Sequence, residues 1–185
     1  MNNARHDILL WENFRKGDHT ALGELFRLHY DYLYRYGSKL CQDTFLLEDA
    51  IQELFTDLWQ HKTEVPVISI KAYLLRALKY KLFRATQKQR KLINADSLPE
   101  EGYFELSHET FIIKEQELKE NTGKVLEALN HLSDRQKEII YLKFYQDMSY
   151  EELASVMNIN YQAARNLLYQ AIKVLRNRLS VWWLF

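Results

Sequence analysis

The stretch Leu47–Trp59, which reads LEDAIQELFTDLW, is the most informative segment of this chain. Its apolar residues recur every three or four positions, as they do on the buried face of an amphipathic helix. These residues are Leu47, Ala50, Ile51, Leu54, Phe55 and Leu58. The pattern predicts a helix over residues 46–61 that packs against a core through this face.

The opposite face of the predicted helix carries acids and amides but no Lys or Arg. It consists of Asp49, Gln52, Glu53, Thr56, Asp57 and Gln60. A phosphate backbone repels such a face, so a partner that binds it is expected to be a protein with basic residues. A solvated helix face is the simpler interpretation of this stripe alone, and the basic segment that follows favours an interaction surface.

That basic segment, from Lys71 to Lys91, has eight Lys and Arg residues and no Asp or Glu. A helix from Ile70 to about Lys91 would place on one side Tyr73, Arg76, Tyr80 and Arg84. Cations neutralise phosphates, and flat rings provide stacking surfaces for unpaired bases. The segment therefore predicts either a nucleic-acid-binding face or a basic surface helix whose tyrosines border the core.

Together, the two helices resemble region 2 of bacterial sigma factors of the sigma-70 family, and more closely that of the extracytoplasmic-function (ECF) group. The resemblance rests on Glu48, Asp49, Gln52, Glu53, Phe55, Leu58 and Trp59. It implies that Asp49, Gln52, Glu53 and Asp57 dock on the clamp of core RNA polymerase. It also implies that the promoter −10 element is opened and held by His61, Lys62, Tyr73, Arg76, Tyr80 and Arg84, with residues 61–68 lining a pocket for a flipped base. Tyr80 stands where many members carry Asn.

The stretch at residues 132–179 predicts a helix-turn-helix. Ser133 with Gln136 and Ser149 with Glu152 form capping boxes, which mark helix starts. Asn158 follows the second of these helices and tolerates the left-handed backbone of a tight turn. Asn160 then caps a last helix whose inward residues are predicted to be Leu167, Leu168, Ala171 and Leu175.

This stretch resembles sigma region 4, the reader of the promoter −35 element, and the resemblance also implies contact with the polymerase flap. The outward residues of the last helix are Tyr161, Gln162, Arg165, Asn166, Tyr169, Lys173 and Arg176. Amide and guanidinium groups pair with base edges in the major groove, so Gln162 or Arg165 is predicted to read bases. Lys173, Arg176 and Arg178 are predicted to contact phosphates.

Composition and charge order fit an all-α protein of two small helical domains joined by a flexible linker. The chain of 185 residues has two prolines and five glycines, and its formal net charge is zero. The charges are segregated, however, into an acidic helix, a basic helix, an acidic connector and a basic end. We predict a region 2 domain at residues 5–91, a linker at 92–121 and a region 4 domain at 122–180.

Signals for catalysis or cofactor binding are missing from the sequence. The six histidines are scattered, and no phosphate-binding loop or nucleophile motif is found. We therefore expect that the protein is not an enzyme and that it binds no metal, cofactor or small-molecule substrate. A helical nuclease is therefore a much weaker hypothesis. No signal peptide or membrane span is recognised, which predicts a cytoplasmic protein. The closing Trp182–Phe185 is interpreted as a hydrophobic cap.

The sequence therefore predicts an ECF-type sigma factor that binds core RNA polymerase and promoter DNA. The alternative is a stand-alone helix-turn-helix activator or repressor, which would have no need of the acidic helix face. The run NYQAARNLLYQAIKVLR resembles FecI-like members of Bacteroidota. That resemblance implies control by an anti-sigma factor, often one in the membrane.

Overall fold

Helices are the regular secondary structure of this chain throughout its described part, which in the computed structural model comprises residues 2–61, 69–92, 103–106, 125 and 127–179. The all-α prediction is confirmed for these residues. In chain order the helices are α1 (Asn2–Arg15), α2 (His19–Leu40), α3 (Thr44–Gln60), α4 (Ile70–Leu92), α5 (Asp134–Phe144), α6 (Tyr150–Met157) and α7 (Tyr161–Leu179). Residues 127–130 add a helical turn before α5.

The chain divides into two units, Met1–Pro99 and Glu100–Phe185. Residues 103–106 lie within the predicted linker but belong to the second unit. There Phe104 is only 1% exposed, and its ring centroid lies 5.7 Å from that of Tyr141. Burying an aromatic side chain in this way is favourable, so the predicted linker includes a stretch that is packed on the second unit.

In the first unit, the predicted apolar face of α3 is buried over its whole length, from Leu47 to Leu58. The helix starts two residues earlier than the apolar pattern predicted. The reason is Asp43, whose carboxylate accepts a hydrogen bond from the Leu46 N–H at 3.1 Å and so caps the first turn. Asp18 caps α2 in the same way through the Thr20 and Ala21 N–H groups.

Helix α1 was not singled out by the sequence pattern, although it completes the core of the first unit. Trp11 and Phe14 are buried, and Trp11 meets the ring of Tyr73 edge-on with 5.5 Å between centroids. Burial by these neighbours raises the pKa of Tyr73. Tyr73 is therefore half-buried, whereas the helical pattern placed it on the same exposed side as Arg76 and Tyr80.

The second unit contains the predicted helix-turn-helix. Both capping boxes are formed, at Ser133 and at Ser149. Asn158 adopts the left-handed conformation, with φ 53° and ψ 47°, and ends α6. The Asn160 side chain accepts a hydrogen bond from the Ala163 N–H at 2.7 Å and so starts α7. The reversal between α6 and α7 is thus set by local side-chain chemistry, as predicted.

Close approach of α2, α3 and α4 depends on Gly37. A Cβ atom at this position would lie 2.2 Å from Leu47 Cδ1 and 3.3 Å from Leu78 Cδ2. Both leucines are buried, so a shift of either side chain would disturb the surrounding core. A Cβ at Gly23, on the same helix, would meet nothing within 4 Å.

We predict that Gly37→Ala destabilises the first unit by about 1–3 kcal/mol through overpacking. Gly23→Ala is the control and should stabilise α2 by about 0.5–1 kcal/mol, because Ala favours a helix. Native-state hydrogen exchange of the α2–α4 amides measures the first unit separately from the second. Equal protection in the two variants would contradict the close approach at Gly37.

Candidate functional site

The acidic face of α3 is exposed as a single stripe. Asp49, Gln52, Glu53 and Asp57 are all on the surface, and the Glu53 and Asp57 side chains are 61% and 55% exposed. The structure therefore brings together the four predicted polymerase-binding residues. Because carboxylates dominate this stripe, it attracts a basic protein surface and repels nucleic acid.

A cation from the neighbouring helix lies against this stripe. Lys81 of α4 has its Nζ 2.6 Å from an oxygen of Asp57 and 3.4 Å from an oxygen of Glu53. Sequence reasoning placed Lys81 only in the basic segment and did not connect it with α3. Because exposed ion pairs contribute only about 0–1 kcal/mol, a partner's cations can compete with this contact. Asp49, Glu53 and Asp57 outnumber this single cation, so the face remains negative.

An open groove between α3 and α4 is lined by groups of both charges. Asp49, Glu53 and Asp57 line it from α3, and Tyr80, Lys81, Arg84 and Lys88 line it from α4. Tyr73 lines the same groove despite its partial burial. His61 lies where α3 ends, and its backbone N–H donates to the Asp57 carbonyl at 2.8 Å.

The exposed face of α4 combines a ring with cations. Tyr80 is 59% exposed, and the guanidinium carbon of Arg84 lies 5.3 Å from its ring centroid. Arg76 is exposed one turn earlier. The cation holds the ring in place and adds positive charge next to it. A ring can stack on an unpaired base, and a cation can bind its phosphate.

Part of the predicted −10 surface lies outside the described residues. This applies to Lys62 and to the rest of the predicted base pocket, residues 62–68. The described portion of that surface is therefore His61 together with the α4 side chains.

Helix α7 presents the predicted −35 residues along one exposed face. Tyr161, Gln162, Arg165, Asn166, Tyr169, Lys173 and Arg176 are all exposed. The opposite face is anchored by the buried residues Ala164, Leu168, Ala171 and Leu175. Leu167, predicted to point inward, is only partly buried. This arrangement gives a rigid helix with a polar and basic outer face, as needed to enter a major groove.

Contacts within that face hold several side chains in place. Gln162 donates a hydrogen bond through Nε2 to Oδ1 of Asn166 at 3.2 Å. The guanidinium carbon of Arg165 lies 6.0 Å from the ring centroid of Tyr161. Amide and guanidinium groups at the first two turns of α7 are thus arranged beside one another, which is the chemistry that reads adenine and guanine edges.

The described residues contain neither a metal-binding cluster nor a membrane-spanning helix. Their His, Cys, Asp and Glu side chains do not form a group that could hold a metal ion. In that same part of the chain, no helix combines the length and the apolar character needed to cross a lipid bilayer.

The sequence of the second unit matches a known family domain. Residues 122–175 fit the family model described as sigma-70, region 4. The chain is also similar over most of its length to the ECF RNA polymerase sigma factor SigM of Bacillus subtilis. Those two sequences are 24% identical over 167 residues, which cover 85% of this chain and 96% of SigM. A shorter match of 54 residues, at 39% identity, links 29% of the chain with 32% of the sigma factor SigV of the same organism.

Two solved structures share the fold. The structure of CnrH, in complex with the cytosolic domain of CnrY, aligns with a TM-score of 0.61 at 19% identity, covering 94% of this chain and 97% of CnrH. The sigma factor RpoE of Bartonella quintana, in complex with the anti-sigma factor NepR, aligns with a TM-score of 0.57 at 20% identity, covering 86% and 96%.

Proposed function

We propose that this chain, a sigma factor of the ECF group, binds core RNA polymerase and directs transcription initiation from promoters that it recognises at their −10 and −35 elements. The observation that carries the proposal is the order of surfaces along the chain. An acidic helix face and a basic aromatic helix face adjoin in the first unit, and a helix-turn-helix follows in the second. A DNA-binding module alone accounts for the last of these but not for the acidic face of α3.

In the first unit, the exposed stripe of Asp49, Gln52, Glu53 and Asp57 binds basic residues of the polymerase clamp. The stripe is held on the surface because the other side of α3 is buried along its length. Charge complementarity of this kind sets the orientation of docking and raises the association rate. When the clamp binds, its basic residues either displace Lys81 from Glu53 and Asp57 or bind these two carboxylates together with Lys81.

The α4 face with Arg76, Tyr80 and Arg84, together with His61 and Lys62, holds the non-template strand of the −10 element. The ring of Tyr80 stacks on a base once that base has left the duplex. Favourable binding of unstacked bases offsets the cost of opening, so the protein needs no fuel and catalyses no reaction of its own. We place the lining of the flipped-base pocket at residues 61–68.

In the second unit, α7 enters the major groove at the −35 element. Gln162, Arg165 and Asn166 face base edges from its first two turns, and Lys173 and Arg176 face phosphates farther along. Tyr161 and Tyr169 complete the contact surface. The same unit binds the polymerase flap. The proposed domains are residues 5–91 and 122–180, and of the residues that join them, 103–106 pack on the second unit.

Control by an anti-sigma factor is a further part of the proposal, and structures of the same fold support it. RpoE was solved in complex with the anti-sigma factor NepR, and CnrH in complex with the cytosolic domain of CnrY. We propose that this chain works in the cytoplasm under an anti-sigma factor that resides in the membrane, as in the FecI-like Bacteroidota subgroup that the α7 sequence resembles.

Run-off transcription with purified core polymerase and genomic fragments tests the central proposal. Failure to produce any promoter-specific transcript would contradict it.

The acidic stripe gives the first functional prediction. The double change Asp49→Lys/Glu53→Lys should abolish co-purification with core polymerase, because it places two cations opposite basic residues of the clamp. The fold should survive, since exposed substitutions usually change stability by no more than about 0.5 kcal/mol.

The matched control is Glu12→Lys/Glu127→Lys, which alters the net charge equally at two exposed acids that are not on α3. This variant should co-purify normally. If both double variants bind core polymerase like the unaltered chain, the docking role of the stripe is wrong.

The α4 face gives the second prediction. Tyr80→Ala/Arg84→Ala should impair promoter opening more than initial duplex binding, because a stacking surface acts only on unpaired bases. Each lost stack costs about 1–3 kcal/mol. Permanganate footprinting of the −10 region measures opening, and Tyr80→Phe, which keeps the ring, should open promoters nearly as well as the unaltered protein. Equal reactivity in the double variant would argue against this face as the single-strand platform.

The α7 face gives the third prediction. Arg165→Ala should relax the base preference at one or two −35 positions, since a bidentate contact to guanine contributes about 1–3 kcal/mol of discrimination. Lys173→Ala should instead weaken all promoters alike and reduce their salt dependence. Transcription from a library with a randomised −35 element separates the two effects. A uniform loss for Arg165→Ala would make that residue a phosphate contact.

A further inference from the structure

A row of rings and cations runs from α5 through α6 to Arg165 on α7. Lys143 Nζ lies 5.4 Å from the ring centroid of Tyr150, and the Tyr150 ring meets that of Tyr161 with 5.8 Å between centroids and 62° between planes. Arg165 then lies over the other member of this ring pair, Tyr161. The row therefore alternates cation, ring, ring and cation across three helices.

The start of this row is fixed by the backbone. Lys143 Nζ donates a hydrogen bond to the Met148 carbonyl at 2.9 Å. Ser149 caps α6 through its box with Glu152, which sets the position of Tyr150 at the first residue of the helix. Tyr150 is half-buried, whereas Tyr161 is 43% exposed. The ring of Tyr150, held by the start of α6, therefore restricts the position of the exposed Tyr161 ring that it contacts.

The end of the row is a side chain that needs such support. Arg165 is exposed, and a free arginine loses much rotamer entropy when it is held in one geometry. A guanidinium resting on a ring has already given up part of that freedom. Preorganised groups bind with less entropic loss, which favours the one base that matches their geometry.

We infer that Tyr150, which lies in the first helix of the helix-turn-helix, is a positioning residue for promoter specificity and acts through Tyr161 on Arg165. It does so by fixing the Tyr161 ring on which the guanidinium rests. This inference rests on the proposed function, in which Arg165 reads a base of the −35 element. It assigns a role in base choice to a residue on a helix other than the one that enters the groove.

The test is the base preference of Tyr150→Ala on the randomised −35 library used for Arg165. Cation–π contacts at exposed sites have modest strength, so discrimination should fall about two- to fivefold. The loss should occur at the same positions that Arg165→Ala relaxes, while the salt dependence is unchanged. In the Arg165→Ala background, Tyr150→Ala should cause no further loss of preference. Tyr150→Phe keeps the ring and should retain the preference of the unaltered protein.

Tyr150→Leu keeps an apolar side chain at this site and serves if the alanine variant fails to fold, as judged by circular dichroism. Preserved base preference in whichever of these folded variants lacks the ring would overturn the inference. A uniform loss on all sequences, or a loss in Tyr150→Phe through its missing hydroxyl, would do the same, as would an Arg165→Ala protein with unaltered preference. Failure of the unaltered chain to transcribe from any −35 sequence would instead count against the proposed function.

Discussion

The packing of the apolar face of α3 against α2 and α4 is the constraint on which the first unit depends. Leu47 fits beside Gly37 of α2 because no Cβ atom is there, and Leu78 of α4 lies against the same glycine. This contact fixes the rotation of α3 about its axis. The rotation in turn decides which residues of α3 face outward. Core packing therefore places Asp49, Glu53 and Asp57 in one line on the surface.

The same logic operates in the second unit with a different device. Rotation of α7 is set by the small buried residues Ala164 and Ala171, which allow close packing, and by the larger Leu168 and Leu175. The turn before α7 is set by Asn158 and Asn160. Together these residues define the outer face of α7 without the help of a partner. The proposed reading of base edges requires such a preorganised face.

The sequence was sufficient for several features that nearby residues decide, although it missed the Asp43 cap of α3 and helix α1. The faces of α3, the capping boxes at Ser133 and Ser149 and the left-handed Asn158 all follow from residues a few positions apart. The contacts it did not predict join residues that are distant in the chain, as Lys81 does with Asp57 and Trp11 with Tyr73. The packing of Phe104 on Tyr141 belongs to the same group, because its stretch is rich in acids and looks like a connector until its partner is known.

Lys81 has a consequence for how such a protein can diverge. It belongs to the basic helix, yet its ammonium group lies on the acidic stripe of α3, so the two faces share one charge. In the proposed function, a substitution that adapts this part of α4 to a new promoter also changes the charge that the polymerase clamp meets at α3. A change at Lys81 must therefore satisfy two proposed partners at once, the polymerase clamp and the promoter.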